Sequence, residues 1–283
     1  MHNKWYWTFK HILMGPFLRV WNRPVLENGQ NIPEEGSAIL ASSHQAVMDS
    51  FYFPLLCDRQ LTHPAKKEYF TGKGIKGAIK RWFFTTVGQV PVDRQAKDAG
   101  ETMAAAAQKV FDRGDLFCIY PEGTRSPDGR IYKGHTGMAR IALSTGETII
   151  PVGMVDTRKA NPIGTTFPRP HKVRAIVGAG IDPLAWARNR RMDPADHETA
   201  RALTDYVMHT LSKITGYEYV DAYASEVRAS LEAGKGYPAS TEPKGDPAAR
   251  RPGHYPKNGE HAVKDAEKAA EKAAEKSSEK GAD

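Results

Sequence analysis

The chain has 283 residues, 40% of them hydrophobic, and carries 40 Lys and Arg against 33 Asp and Glu, a formal charge of +7. That length holds one large α/β domain, or one domain with a tail. The basic balance suits an anionic membrane, a phosphorylated ligand or nucleic acid. The two cysteines, Cys57 and Cys118, exclude a disulfide framework and a zinc pattern.

In chain order, the first feature is an aromatic segment. Trp5, Tyr6, Trp7, Phe9, Ile12, Leu13, Met14, Phe17, Leu18, Val20 and Trp21 are interleaved with Lys10, His11 and Arg19. Nothing here or elsewhere approaches the ~18 consecutive apolar residues of a spanning helix, and the order of residues is not that of a signal peptide. Residues 1–24 are therefore expected to lie in the headgroup boundary as two short helices broken at Gly15-Pro16. The alternative is a helical segment docked on the protein's own core.

From residue 25 onward, short apolar runs alternate with longer amphipathic ones. Strands are expected at Ser37–Ser42, Val87–Val92, Asp115–Tyr120, Thr148–Met154 and Lys172–Gly178. Helices are expected at Ala46–Leu56, Lys73–Thr85, Lys97–Arg113, Thr136–Thr145 and Thr199–Ile214. This alternation predicts an α/β domain over 25–232, with a mostly parallel central sheet and flanking helices. Cys118, inside Leu116-Phe117-Cys118-Ile119-Tyr120, reads as a small buried hydrophobe. From about Gly234 the composition turns to Gly, Pro, Ser and charge, ending in repeated Glu-Lys pairs. Residues 233–283 read as a disordered charged tail.

Four segments carry chemistry, and each follows or ends an expected strand. In open parallel sheets the carboxyl ends of the strands converge on the ligand site. The first segment is Ser43-His44-Gln45-Ala46-Val47-Met48-Asp49. A loop turning into a helix brings the Asp49 carboxylate back onto the His44 imidazole. The carboxylate selects one tautomer, and the other ring nitrogen can then accept a hydroxyl proton. Alone the spacing is weak, since a helix-capping Asp beside a core His would look the same. The second is Tyr120-Pro121-Glu122-Gly123-Thr124-Arg125-Ser126, where Gly123 lets backbone amides approach a ligand and Arg125 can grip a phosphate. The third is Gly88–Arg94, a strand ending in a cation, and the fourth is Ile149-Ile150-Pro151-Val152-Gly153.

Together, in this order, the four segments resemble the lysophospholipid acyltransferase superfamily, over roughly residues 25–180. His44 and Asp49 match its His-x4-Asp block and Arg94 the Arg that ends its second. Pro121 through Ser126 match six of seven positions of its Phe-Pro-Glu-Gly-Thr-Arg-Ser block, and Ile150-Pro151-Val152 match its apolar strand. Ala65-Lys66-Lys67-Glu68 resembles a basic element between the first two blocks. Departures are Ser43 for the usual Asn, Tyr120 for Phe, and Tyr132–Gly137 for a more basic stretch. The resemblance implies the glycerophosphate acyltransferase fold, with His44 as general base and Asp49 steering it. It implies that Glu122, Gly123 and Thr124 position the acceptor, while Arg94, Arg125 and Lys67 bind its phosphate. The implied reaction moves an acyl chain from acyl-CoA or acyl carrier protein to the hydroxyl of 1-acylglycerol 3-phosphate. Another lysophospholipid or glycerol 3-phosphate would be the alternative acceptor. No cofactor or metal is expected, and no nucleic-acid partner. A peripheral position on the cytoplasmic face of a membrane is. The rival readings are a hydrolase using the same pair and a non-catalytic lipid-binding protein.

Overall fold

The computed structural model describes residues 4–72, 74–92, 99–165 and 167–244. The chain opens with α1 (Lys4–Thr8), a π-helical turn (Phe9–Leu13) and α2 (Gly15–Trp21). The break falls where Gly15-Pro16 predicts it. The Lys10 carbonyl lies where a Cβ on residue 15 would sit, so only glycine fits, and Pro16 occupies the first turn of α2, where its missing N–H costs nothing.

There follow β1 (Val25–Glu27), β2 (Ala38–Ser42), α3 (Asp49–Leu56), β3 (Leu61–Thr62), β4 (Pro64–Lys66), α4 (Glu68–Thr71), α5 (Gly74–Thr86) and β5 (Val90–Val92). Next come α6 (Ala99–Phe111), β6 (Leu116–Ile119), β7 (Ile131–Tyr132), α7 (Gly137–Thr145), β8 (Ile149–Val155), α8 (Thr157–Ala160) and β9 (Arg174–Val177). The described chain closes with α9 (Pro183–Asn189), α10 (His197–Thr215), β10 (Tyr219–Val220) and α11 (Ala224–Glu232).

Six strands form the central sheet in the order β1-β9-β8-β2-β6-β3. All neighbours run parallel except β8 and β9, so the sheet is mostly parallel, as the alternating pattern predicts. Successive side chains leave a strand on opposite faces, and both faces here are apolar. Ile39, Phe117 and Ile149 pack on α6, α7 and α10, through residues such as Val110, Met138, Leu203 and Leu211. Leu40, Cys118 and Ile150 pack on the other side against Tyr52 and Phe53 of α3 and against Leu18 of α2. Burial on both faces explains why these strands read as continuous apolar runs.

One expected strand changes place. The run Val87–Val92 contributes only β5, which pairs with β4 in a separate two-stranded ladder. Helix α5 continues to Thr86, and Gly88, at φ +76°, turns the chain before residue 90.

The aromatic segment is docked on one side. Tyr6 and Leu18 are buried, and Asn22 donates to the carbonyls of Arg169 and His171. Its other side stays open, with Ile12 70% and Val20 79% exposed. No helix among the described residues is long and apolar enough to cross a membrane.

Beyond α11 the described chain runs on to residue 244 and packs against the body. Arg130 donates to the carbonyls of Thr241 and Glu242 and lies over the Tyr237 ring. The packed body thus extends past residue 233, where linker composition begins; residues 245–283 lie outside the described residues.

Candidate active site

Strands β2 and β6 are parallel neighbours in register, with Ala41 opposite Ile119. Their carboxyl ends therefore release His44 and the Tyr120–Ser126 loop side by side. The two loops are tied directly, since the Ser126 amide donates to the His44 carbonyl at 2.8 Å. The Ser43 amide donates to Val152, and the Ser43 hydroxyl accepts from the Met154 amide. The serine that replaces the usual Asn thus anchors the end of β2 to β8.

The chain turns between His44 and α3, and the fully buried Asp49 closes that turn. Its Oδ2 accepts from the Gln45 amide at 2.7 Å, from the Ala46 amide at 2.8 Å and from His44 Nδ1 at 3.0 Å. This is why α3 begins at Asp49 and not at the predicted Ala46. A carboxylate only accepts, so Nδ1 is the donor, and in the neutral ring Nε2 holds the lone pair. Among the described residues, no hydrogen bond engages Nε2. The imidazole stacks on the Tyr120 ring at 3.9 Å between centroids, and the Tyr120 hydroxyl shares a 2.8 Å hydrogen bond with Ser50.

His44 lines a cavity of about 620 Å³. Gly123, Thr124, Arg125 and Arg228 are among its polar lining, and Tyr6, Phe9, Leu18, Phe51 and Leu55 among its apolar lining. Gly123 has φ +71°, and a Cβ there would come within 3.0 Å of the His135 ring, so both backbone angle and space demand glycine.

Glu122 is placed differently from the expectation that it binds the acceptor. It is fully buried and absent from the cavity wall. Its two oxygens accept from the backbone amides of His44, at 3.0 Å, and Tyr132, at 2.9 Å, so in this structure it ties the two loops together. Burial pushes its carboxyl up to about 8, against the pull of the two amides. The folded state therefore binds a proton that the unfolded chain releases near 4.5, and stability falls as pH rises from about 4.5 to about 8. That slope is worth on the order of 2–5 kcal/mol. In Glu122→Gln the slope disappears, and a side-chain N–H now faces one backbone N–H, costing about 1–3 kcal/mol at pH 5. Urea denaturation of both proteins at pH 5 and pH 8 measures this; an unchanged slope refutes it.

Lys67 caps the start of α4, is exposed, and is not part of the cavity wall. Arg94 lies outside the described residues. Sequence reasoning passed over His63, Ser50 and Arg228, all of which line the cavity. Burial, with the His44 ring adding to it, pushes the His63 imidazole down to about 4, so it is neutral at pH 7. Its position just before Ala65-Lys66-Lys67 was the one available signal. Arg228 had none, lying far along the chain from every motif.

The stretch that holds the His44–Asp49 pair and the Tyr120–Ser126 turn lies within residues 23–155, which match a family model described as Acyltransferase. Over this stretch the chain is similar to the PlsC-like lysophospholipid acyltransferase superfamily. Among its relatives are 1-acyl-sn-glycerol-3-phosphate acyltransferases. One from Arabidopsis thaliana is 27% identical over 54% of this chain and 42% of its own length. One from Limnanthes douglasii is 26% identical over 57% and 56%. The chain thus spans about half the length of these curated relatives. The crystal structure of the 1-acyl-sn-glycerophosphate acyltransferase PlsC from Thermotoga maritima shares the fold, with a TM-score of 0.54 at 24% identity, covering 73% of this chain and 76% of that one.

Proposed function

We propose that this protein transfers an acyl chain from a thioester donor, acyl-CoA or acyl carrier protein, to the free hydroxyl of 1-acylglycerol 3-phosphate, giving phosphatidic acid. The observation that carries the reading is His44, with Nδ1 held by Asp49, on a cavity lined by Arg125 and by apolar side chains. Nε2 takes the hydroxyl proton as the oxygen attacks the thioester carbonyl. The C–S bond then breaks, and the imidazolium returns its proton to the leaving thiolate. Arg125 pairs with the acceptor phosphate, and the apolar lining takes an acyl chain. Incubating the purified protein with a labelled acyl thioester and a panel of acceptors, read by mass spectrometry, tests this. Labelled phosphatidic acid is expected, whereas release of free fatty acid regardless of acceptor would favour hydrolysis and overturn the reading.

We place the protein peripherally on the cytoplasmic face of a membrane. The support is the distribution of exposed large apolar residues. Those among the described residues fall in the N-terminal segment, at Val47, in α5 and at Ile163 and Phe167. Ring contacts join Trp5 to Trp82 of α5 and Phe17 to Phe167, and the N-terminal segment also lines the cavity. A gathered patch of this kind marks an interaction surface. Deleting the segment would also strip Tyr6 and Leu18 from the core, so a surface triple is the better probe. Ile12→Ser, Val20→Ser and Ile75→Ser combined should cut pelleting with anionic liposomes about tenfold or more, given ~0.8 kcal/mol per buried CH₂, without changing Tm. Undiminished pelleting would sink the membrane assignment.

A further inference from the structure

We infer that Arg228, on a helix outside the residues matched by the family model, is a second guanidinium of the acceptor site and selects a phosphate monoester over a phosphodiester headgroup. The inference rests on the acyltransferase reading above and names the acceptor class within it.

Several contacts bring α11 to the site. Strand β10 pairs with β7, and the Lys133 amide donates to the carbonyls of Val220 and Ala222. The Tyr223 ring, just before α11, stacks on His135 at 4.6 Å with the planes 9° apart. His135 is the ring that abuts Gly123, and its amide donates to Pro121. The helix therefore starts beside the turn that carries Gly123, Thr124 and Arg125. Ala224 and Val227 are buried against Tyr132 and Val220, which fixes the rotation of the helix. In that rotation Arg228 reaches the cavity wall shared by His44 and Arg125.

The charges in that wall are one-sided. Among the described residues it holds Lys10, Arg125 and Arg228, and no Asp or Glu. Lys10 donates to the Cys57 carbonyl and is buried among the N-terminal residues, whereas the two guanidinium groups offer planar, bidentate donor edges to a ligand anion. Arg228 Nε also donates to Glu232, one turn on, at 2.7 Å. That carboxylate side chain is 64% exposed, so water screens the pair and a phosphate can compete with it at little cost. A phosphate monoester, with its second pKa near ~6, is close to a dianion at pH 7. It offers enough charge and oxygens for two guanidinium groups, each able to bind it bidentately. A phosphodiester carries one charge, and its alcohol substituent occupies one of the oxygens the second guanidinium would grip.

The test compares wild type with Arg228→Ala, Arg228→Lys and Lys235→Ala. Lys235 is an exposed cation just past α11 and outside the cavity wall, so it controls for net charge. Acceptors are 1-oleoylglycerol 3-phosphate and 1-oleoylglycerophosphocholine in detergent micelles. Arg228→Ala is expected to raise KM for the monoester about 10–100-fold, as loss of a charge-assisted bidentate contact does, with kcat within about threefold. The preference over the choline ester should fall by a similar factor. Arg228→Lys should recover part of the loss, and Lys235→Ala should match wild type. Calorimetric binding of 1-oleoylglycerol 3-phosphate to the same proteins reads the site without turnover, and Kd should weaken in parallel. Unchanged Kd, KM and headgroup preference in Arg228→Ala overturn the inference. Binding that depends on Arg228 in a protein that transfers no acyl group overturns the reaction and leaves the site.

Discussion

Replacing His44 with Ala is expected to lower the rate of acyl transfer by on the order of 10²–10⁴, the usual contribution of a positioned general base. Its fold should survive. The ring is held by the Asp49 hydrogen bond and the stack on Tyr120, while the backbone contacts that join the loops, to Glu122 and Ser126, remain. Asp49→Asn is the more discriminating change. The Asn oxygen can still accept from the Gln45 and Ala46 amides, so the turn into α3 persists. The amide cannot stabilise the imidazolium that forms as the hydroxyl proton is taken. Transfer should fall comparably in both variants, and in the double variant by little more than in either, because the pair acts as a unit. Single-turnover rates alongside thermal melts measure this. A fully active His44→Ala protein removes the proposed base.

Arg130→Ala is expected to cost about 3–5 kcal/mol of stability, the range for opening one side of a buried ion pair. Arg130 is 3% exposed. It reaches Asp128 at 2.7 Å, the Tyr132 hydroxyl at 3.1 Å and the Thr241 carbonyl at 2.5 Å. Burial pushes the Asp128 carboxyl up, but the bonds and charge of Arg130 outweigh it and hold it below the ordinary carboxylate range. Truncating the arginine leaves that carboxylate enclosed without its cation and frees the strand of chain at 237–242. The same loop leads back to Tyr132, whose amide holds Glu122, so the loss should reach the active-site turn. Urea denaturation gives the stability change, and proteolysis after residue 236 should quicken in the variant. Stability within about 1 kcal/mol of wild type would show that the network contributes little net energy.

The sequence by itself determined the order of the main elements. Apolar runs such as Leu116–Ile119 and Ile149–Val155 are strands because both faces of the sheet are covered, so no polar alternation interrupts them. Gly15-Pro16 interrupts the helical segment wherever it lies, since the close approach of the Lys10 carbonyl to residue 15 and the missing proline N–H are both local. The pairing of His44 with Asp49 was legible for a similar reason: five residues separate them, and the turn that joins them needs no distant partner. Gly123 could be read as a turn glycine, though that His135 fills the space beside it could not.

What tertiary structure alone decided is everything that depends on partners far along the chain. Glu122 looks from its motif like a ligand group, but whether its oxygens face a substrate or the amides of His44 and Tyr132 is set by how β2 and β6 lie side by side. Lys67 is exposed and off the cavity wall, although Pro64 and Ala65 of the neighbouring β4 line it. Arg228 joins the site through a ring stack and a two-residue strand pair, neither of which has a periodic signature. Residues 237–242 have linker composition, yet a buried guanidinium pins them by donating to what every residue possesses, a backbone carbonyl. Such contacts use main-chain atoms, which are identical at every position and so leave no trace in the order of side chains.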